Sequence, residues 1–139
     1  MKFKHFNYFI ILVTGIVRNK KGQILLVKRS NANKTFKGFW QLPEGKMEFG
    51  EQPVETLKRE IEEELGCQLI SAESKAVKTS VVKFQETFYH VLRIVLEVKC
   101  RGKLKLSKEH DAYQWTSVKK AIKVSNLVDG TKEILSGLK

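Results

Sequence analysis

The chain has 139 residues with 42% apolar and 29% charged side chains, enough for one ordinary core and too little for two. That composition excludes a disordered tail and a polytopic membrane protein, and one domain over residues 1–139 is expected. Lysine and arginine number 26 against 15 acids, a net charge of +11, which favours polyanionic partners such as nucleotides, RNA or acidic surfaces.

The N-terminus places Lys2, Lys4 and His5 ahead of an apolar run over residues 6–17, a pattern that mimics a signal peptide. The run is rich in aromatic and β-branched residues and no small-residue cleavage site follows, so a strand is expected. It is also too short to span a bilayer. A second strand over residues 23–28 follows the turn at 19–22, and the two read as a hairpin. Residues 30–38 are polar and basic, hence a loop, and Pro43-Glu44-Gly45 punctuates the chain.

From Pro53 to Leu65 the periodicity becomes helical, with Val54, Leu57, Ile61 and Leu65 forming the stripe expected to be buried. Pro53 suits a first turn and Gly66 a C-terminal cap. Strands are expected over residues 67–80, 81–99 and 113–115, with His90, Leu92, Ile94, Leu96 and Val98 alternating with Arg93, Glu97 and Lys99. Ser117 is a candidate N-cap for a short helix to residue 123, and residues 127–138 read as a closing helix. The order is two strands, a helix, three strands and two helices, an α/β or α+β fold with a mixed sheet. Cys67 and Cys100 are too few for a disulfide framework, so reduced thiols and a cytoplasmic location are expected.

Charge is unevenly spread. Residues 44–64 hold eight glutamates and three bases, a local balance of −5 that leaves +16 for the rest of the chain. Crowded carboxylates in a basic protein make a candidate divalent-cation site, because hard cations take oxygen ligands and like charges repel without a counter-charge. On the helix, Glu60, Glu63 and Glu64 fall within about 100° of arc, apart from the apolar stripe. A solvated face carrying pairs such as Glu55 with Arg59 is the competing reading of the helix alone.

The wider spacing separates the two. Gly45, Glu51, Arg59-Glu60-Ile61, Glu63-Glu64 and Gly66-Cys67 resemble the Nudix box, G-x5-E-x7-R-E-U-x-E-E-x-G-U with U aliphatic, matching its seven fixed positions. Cys67 departs from the final aliphatic position, and Glu44 stands where many relatives carry glycine. The resemblance implies an α/β/α sandwich and attack of water on a nucleotide diphosphate linkage, with Mg²⁺, or Mn²⁺ as the alternative, neutralising charge.

By the same resemblance Glu63 and Glu64 match the main metal pair, and Glu60 a ligand or base. The Glu44 carbonyl and a late glutamate, Glu109, match further metal ligands. Arg59 is expected to orient Glu51 or Glu60, while Gly45 and Gly66 meet backbone requirements, a loop bend and a helix cap. Lys28 and Arg29 match a phosphate-binding position, Trp40 with Phe39 is a candidate for stacking on a base although such a pair before the box is more often core, and His110 is expected to be a bystander.

Pro43 and Pro53 are the only prolines, so the proline markers of the ADP-ribose and NADH groups are missing. Lys83, Phe84 and Gln85 stand where a tyrosine marks many dinucleoside polyphosphate hydrolases. A MutT-like enzyme acting on nucleoside triphosphates remains, with oxidised forms such as 8-oxo-dGTP among the candidates and a monomer or homodimer as the assembly. An RNA 5′-triphosphate or dinucleoside polyphosphate pyrophosphohydrolase, the former using the basic run from Lys99 to Lys108, and a non-catalytic nucleotide-binding regulator are the alternatives.

Overall fold

The computed structural model describes residues 7–138. The elements are β1 (Asn7–Val17), β2 (Ile24–Arg29), β3 (Trp40–Gln41), β4 (Glu44–Lys46), α1 (Pro53–Leu65), β5 (Gln68–Phe84), β6 (Thr87–Arg101), β7 (His110–Thr116), α2 (Val118–Ile122) and α3 (Thr131–Ser136). The expected start of the first strand at Phe6, and the basic residues before it, lie outside the described residues. Among the described residues no helix is long and apolar enough to cross a membrane.

Two sheets form, one ordered β4-β1-β6-β5 and one β3-β2-β7. β1 lies in the middle of the first, parallel to β6 and antiparallel to β4, so apolar side chains are needed on both of its faces. Val13 and Val17 face α1 together with Leu57, Ile61 and Leu65, while Ile16 faces Ala121, Ile134 and Leu135 of α2 and α3. β2 splits in the same way, Leu25 and Val27 toward α1 and Ile24 and Leu26 toward the C-terminal helices. The result is the expected α/β/α sandwich with a mixed sheet.

Several local expectations are corrected. β1 and β2 are not a hairpin, because the two long edges of β1 are taken by β6 and β4, and β2 joins the other sheet. Only a bridge between Arg18 and Ile24 remains, at a turn closed by hydrogen bonds from Asn19 N to Gln23 O and from Gly22 N to Asn19 O. The break between the two long strands falls at Gln85-Glu86 instead of Ser80. Gln85 takes a left-handed φ of 56°, a tight turn with no glycine or asparagine to announce it. The last helix is shorter than expected because Gly130, at φ 90°, begins it late.

α1 begins and ends where expected, with Gln52 and Glu55 closing a capping box and Gly66 at φ 69° as the left-handed cap. Leu57, Ile61 and Leu65 are buried, but Val54, in the first turn, is exposed, and Thr56 is buried in its place. The Thr56 hydroxyl donates to Glu51 Oε1 at 2.9 Å, which satisfies its polar atom out of water.

Candidate active site

The acidic cluster is built where α1 crosses the edge strand β4. Gly45 pairs with Val13 in the sheet, and a Cβ at Gly45 would collide with the Glu60 side chain. The glycine is therefore needed for close approach of helix and strand, and the expected loop bend is not its role, since it lies within β4 and shows no positive φ. Gly15, beneath the helix, is nearly as restricted, with its Cβ direction 3.1 Å from Leu57 Cδ2.

Arg59 organises one end of the cluster. It forks onto Glu51 through Nε to Oε2 at 2.9 Å and Nη2 to Oε1 at 3.0 Å. Its Nη1 donates to Glu60 Oε1 at 2.7 Å and its Nη2 to the carbonyl of Lys46 at 3.2 Å. The fork, with help from the backbone of Glu48, holds the Glu51 carboxyl at about 2, well below its ordinary range. The pair of Glu55 with Arg59 that the competing reading offered does not form, and Glu55 accepts from Gln52 N in the capping box.

At the other end no arginine among the described residues hydrogen-bonds Glu64. Glu64 is pushed up to about 8 by burial, by a hydrogen bond with Glu60, and by the charges of Glu60, Glu109 and Glu63. Glu63 is 64% exposed at the rim, whereas Glu64 is 22% exposed. Glu63 keeps a contact of 3.9 Å with Arg59 Nη1, and the acids crowded at this end offer oxygen donors of the kind a divalent cation takes. Among the described residues no three such side chains are already closed around one point.

Glu60 and Glu64 open onto a cavity of about 810 Å³, with Arg29 and Lys34 across from them and Tyr89 and Phe84 toward its apolar end. Arg29 is held by the loop it faces, donating from Nε to Thr35 O at 3.0 Å and from Nη1 to Gln41 Oε1 at 3.3 Å. Lys28 and Trp40 do not line this cavity. They pair across β2 and β3, Trp40 packs on the core of Leu26, Leu42 and Leu135, and the register of β2 against β7 shifts between Lys28 and Arg29.

The Glu44 carboxylate is engaged on the cavity floor, accepting from Thr14 Oγ1 at 2.8 Å and from Arg93 Nε at 3.2 Å. Arg93 alternates in sequence with the apolar positions of β6, yet its side chain is 8% exposed. Both faces of β6 are covered at this level, so alternation there does not divide core from solvent, and Glu44 supplies the counter-charge. Glutamate in place of the usual glycine was the one sequence signal for this pair.

Glu109 reaches the region from the segment before β7. Its carbonyl accepts from Ser30 N at 3.0 Å and from Asn33 Nδ2 at 2.7 Å, and its charge acts on Glu64 and Arg29. Beside it, His110 is buried with Nδ1 3.5 Å from Glu64 Oε2. The sequence reading set this histidine aside, since no spacing rule links it to a helix 46 positions earlier.

A helix bearing these acids, wedged against an edge strand in an α/β/α sandwich, defines a Nudix site, and the NUDIX domain family model matches residues 10–138. The chain belongs to that family. Within it the protein is a MutT-like Nudix hydrolase: it resembles the MutT protein from Methanosarcina mazei Go1 with a TM-score of 0.77 and 30% identity, over 92% of this chain and 91% of that one. It is 35% identical over 112 residues to the nucleoside triphosphatase NudI of Klebsiella pneumoniae, covering 75% of this chain and 79% of the relative. It is also 42% identical over 64 residues to the 8-oxo-dGTP diphosphatase of Haemophilus influenzae, and that match spans 46% of each chain.

Proposed function

We propose that this chain, acting as a single domain, hydrolyses nucleoside triphosphates to the monophosphate and pyrophosphate with a divalent cation, Mg²⁺ or Mn²⁺. The observation that carries this reading is Glu64, which no arginine among the described residues hydrogen-bonds, lining one cavity with Glu60 and Arg29. The NudI relative supports the choice of triphosphates, and the half-length match to the 8-oxo-dGTP enzyme places oxidised nucleotides second.

Glu60, Glu63 and Glu64 would hold the cation, with Glu109 and the Glu44 carbonyl as further ligands. When bound, the cation supplies neutralisation of the phosphate charge. Arg29, fixed by Thr35 and Gln41, binds phosphate oxygens. Water attacks phosphorus, its proton passes to a carboxylate of the cluster, and the phosphorus–oxygen bond that bridges the α- and β-phosphoryl groups breaks, which releases the monophosphate and pyrophosphate. Glu60 is the candidate base, since Arg59 fixes its carboxylate from one side while it remains open to the cavity. Arg59 and Glu51 are positioning residues.

The test is turnover of a nucleotide panel with Mg²⁺, run beside Glu64→Gln. Triphosphate hydrolysis that disappears in the variant supports the reading. Undiminished turnover in Glu64→Gln would overturn the site. Arg29→Ala is expected to raise KM for a triphosphate more than it lowers kcat, because ground-state phosphate contacts are largely uniform binding.

A further inference from the structure

His110 has a buried Nδ1 with no hydrogen-bond partner, and the nearest acid is Glu64, 3.5 Å away at Oε2. A buried polar atom left alone is costly, so its placement calls for a reason. The fold puts it there deliberately. The last carbonyls of α1 lack partners within the helix and are taken up by the segment before β7, Lys105 N donating to Leu65 O at 2.7 Å and Ser107 N to Glu64 O at 3.0 Å. On the other side Ser30 and Asn33 fasten the same segment, the Ser30 hydroxyl to Lys108 O and the Asn33 amide to Glu109 O. Fastened at both sides, the chain delivers His110 as the first residue of β7, opposite Arg29 and against Glu64.

An imidazole can carry a proton on Nδ1, which makes that atom a hydrogen-bond donor.

We propose that His110 is a positioning residue whose Nδ1–H donates to Glu64 Oε2 and fixes that carboxylate for the cation. A small closure of the 3.5 Å gap completes the bond, as is common for site hydrogen bonds that tighten on loading. Partners of this kind around ligating groups change metal affinity or activity by about 10–100-fold when removed. The inference rests on the proposed role of Glu64.

The experiment compares His110→Asn, whose amide nitrogen lies near the Nδ1 position, with His110→Gln, whose amide reaches toward Nε2, and with His110→Phe. Each is measured for Mn²⁺ affinity by electron paramagnetic resonance, for kcat and KM, and for Tm. His110→Asn is expected to stay within about threefold of wild type in Mn²⁺ affinity and kcat. The Gln and Phe variants are expected to lose about 10–100-fold with KM for nucleotide unchanged. Should Phe fail to fold, the Asn and Gln pair carries the comparison. Equal losses in Asn and Gln, or retained Mn²⁺ affinity in Phe, overturn the inference. Glu64→Gln separates the two readings: wild-type Mn²⁺ affinity there sinks the site itself, whereas its loss together with indifferent His110 variants sinks only the role of the histidine.

Discussion

The two ends of the acidic cluster share one helix and opposite electrostatics. At the Glu51 end Arg59 donates to two carboxylates, and Glu51 is held down at about 2. At the Glu64 end no guanidinium among the described residues hydrogen-bonds the Glu64 carboxylate, and burial together with the neighbouring acids raises its pKa to about 8. A cluster of glutamates is thus two devices, one neutralised from within and one that awaits charge from outside. Arg59 makes the difference by direction, facing Glu51 and Glu60 and leaving Glu64 aside.

The largest expected effect comes from breaking the cation-seeking end. Glu64→Gln should lower kcat by at least about a hundredfold, the scale on which charge-stabilising groups at reacting phosphates act. Chelation of divalent cations should abolish turnover in wild type, with recovery on adding Mg²⁺. Turnover that survives the chelator would contradict the cation requirement.

Arg59→Lys should come next, at about tenfold in kcat, because an ammonium cannot fork onto Glu51 and still reach Glu60. A carboxyl-carbon NMR titration reads the same change, with Glu51 moving from about 2 toward its ordinary 4.5. An unmoved Glu51 would show that the backbone contact of Glu48 suffices.

The two ends should also give pH limbs of opposite sign in the metal-free protein. Glu64 keeps its proton in the folded state up to about 8 but loses it near 4.5 when unfolded, so stability falls as pH rises between those values. The slope has a ceiling of about 1.4 kcal/mol per pH unit. Glu51 acts the other way, with its contribution present above 4.5 and lost as pH falls toward 2. Tm should therefore rise on acidification from pH 8 to about 5 and then decline, with Mg²⁺ stabilising most at pH 8. Glu64→Gln should flatten the upper limb alone, which thermal scans in metal-free buffer can read.

The smallest effect is expected from the exposed lysines of the segment that fastens onto the end of α1. Lys103, Lys105 and Lys108 are exposed and do not line the cavity, and exposed charges of this kind are weakened by screening at physiological salt. Changing all three to Gln should alter kcat/KM for a nucleoside triphosphate by less than about twofold. A large loss on 5′-triphosphate RNA, with none on mononucleotides, would move the substrate assignment to RNA.

By itself the sequence determined what is local. Periodicity, Pro53 and Gly66 delimited α1 to the residue, the box spacing named its acids, and Ser117 was read as the cap it is, accepting from Lys120 N. These rest on helix geometry and capping, which act over one or two turns. Tertiary structure decided everything that depends on what comes alongside. It moved β2 out of the expected hairpin, buried Arg93 under Glu44, turned Trp40 into the core, and hung the segment before β7 on the end of α1 so that His110 meets Glu64. Alternation along a strand says which residues share a face but not what covers that face, and no spacing in one sequence joins Glu64 to a histidine that only the folded chain brings beside it.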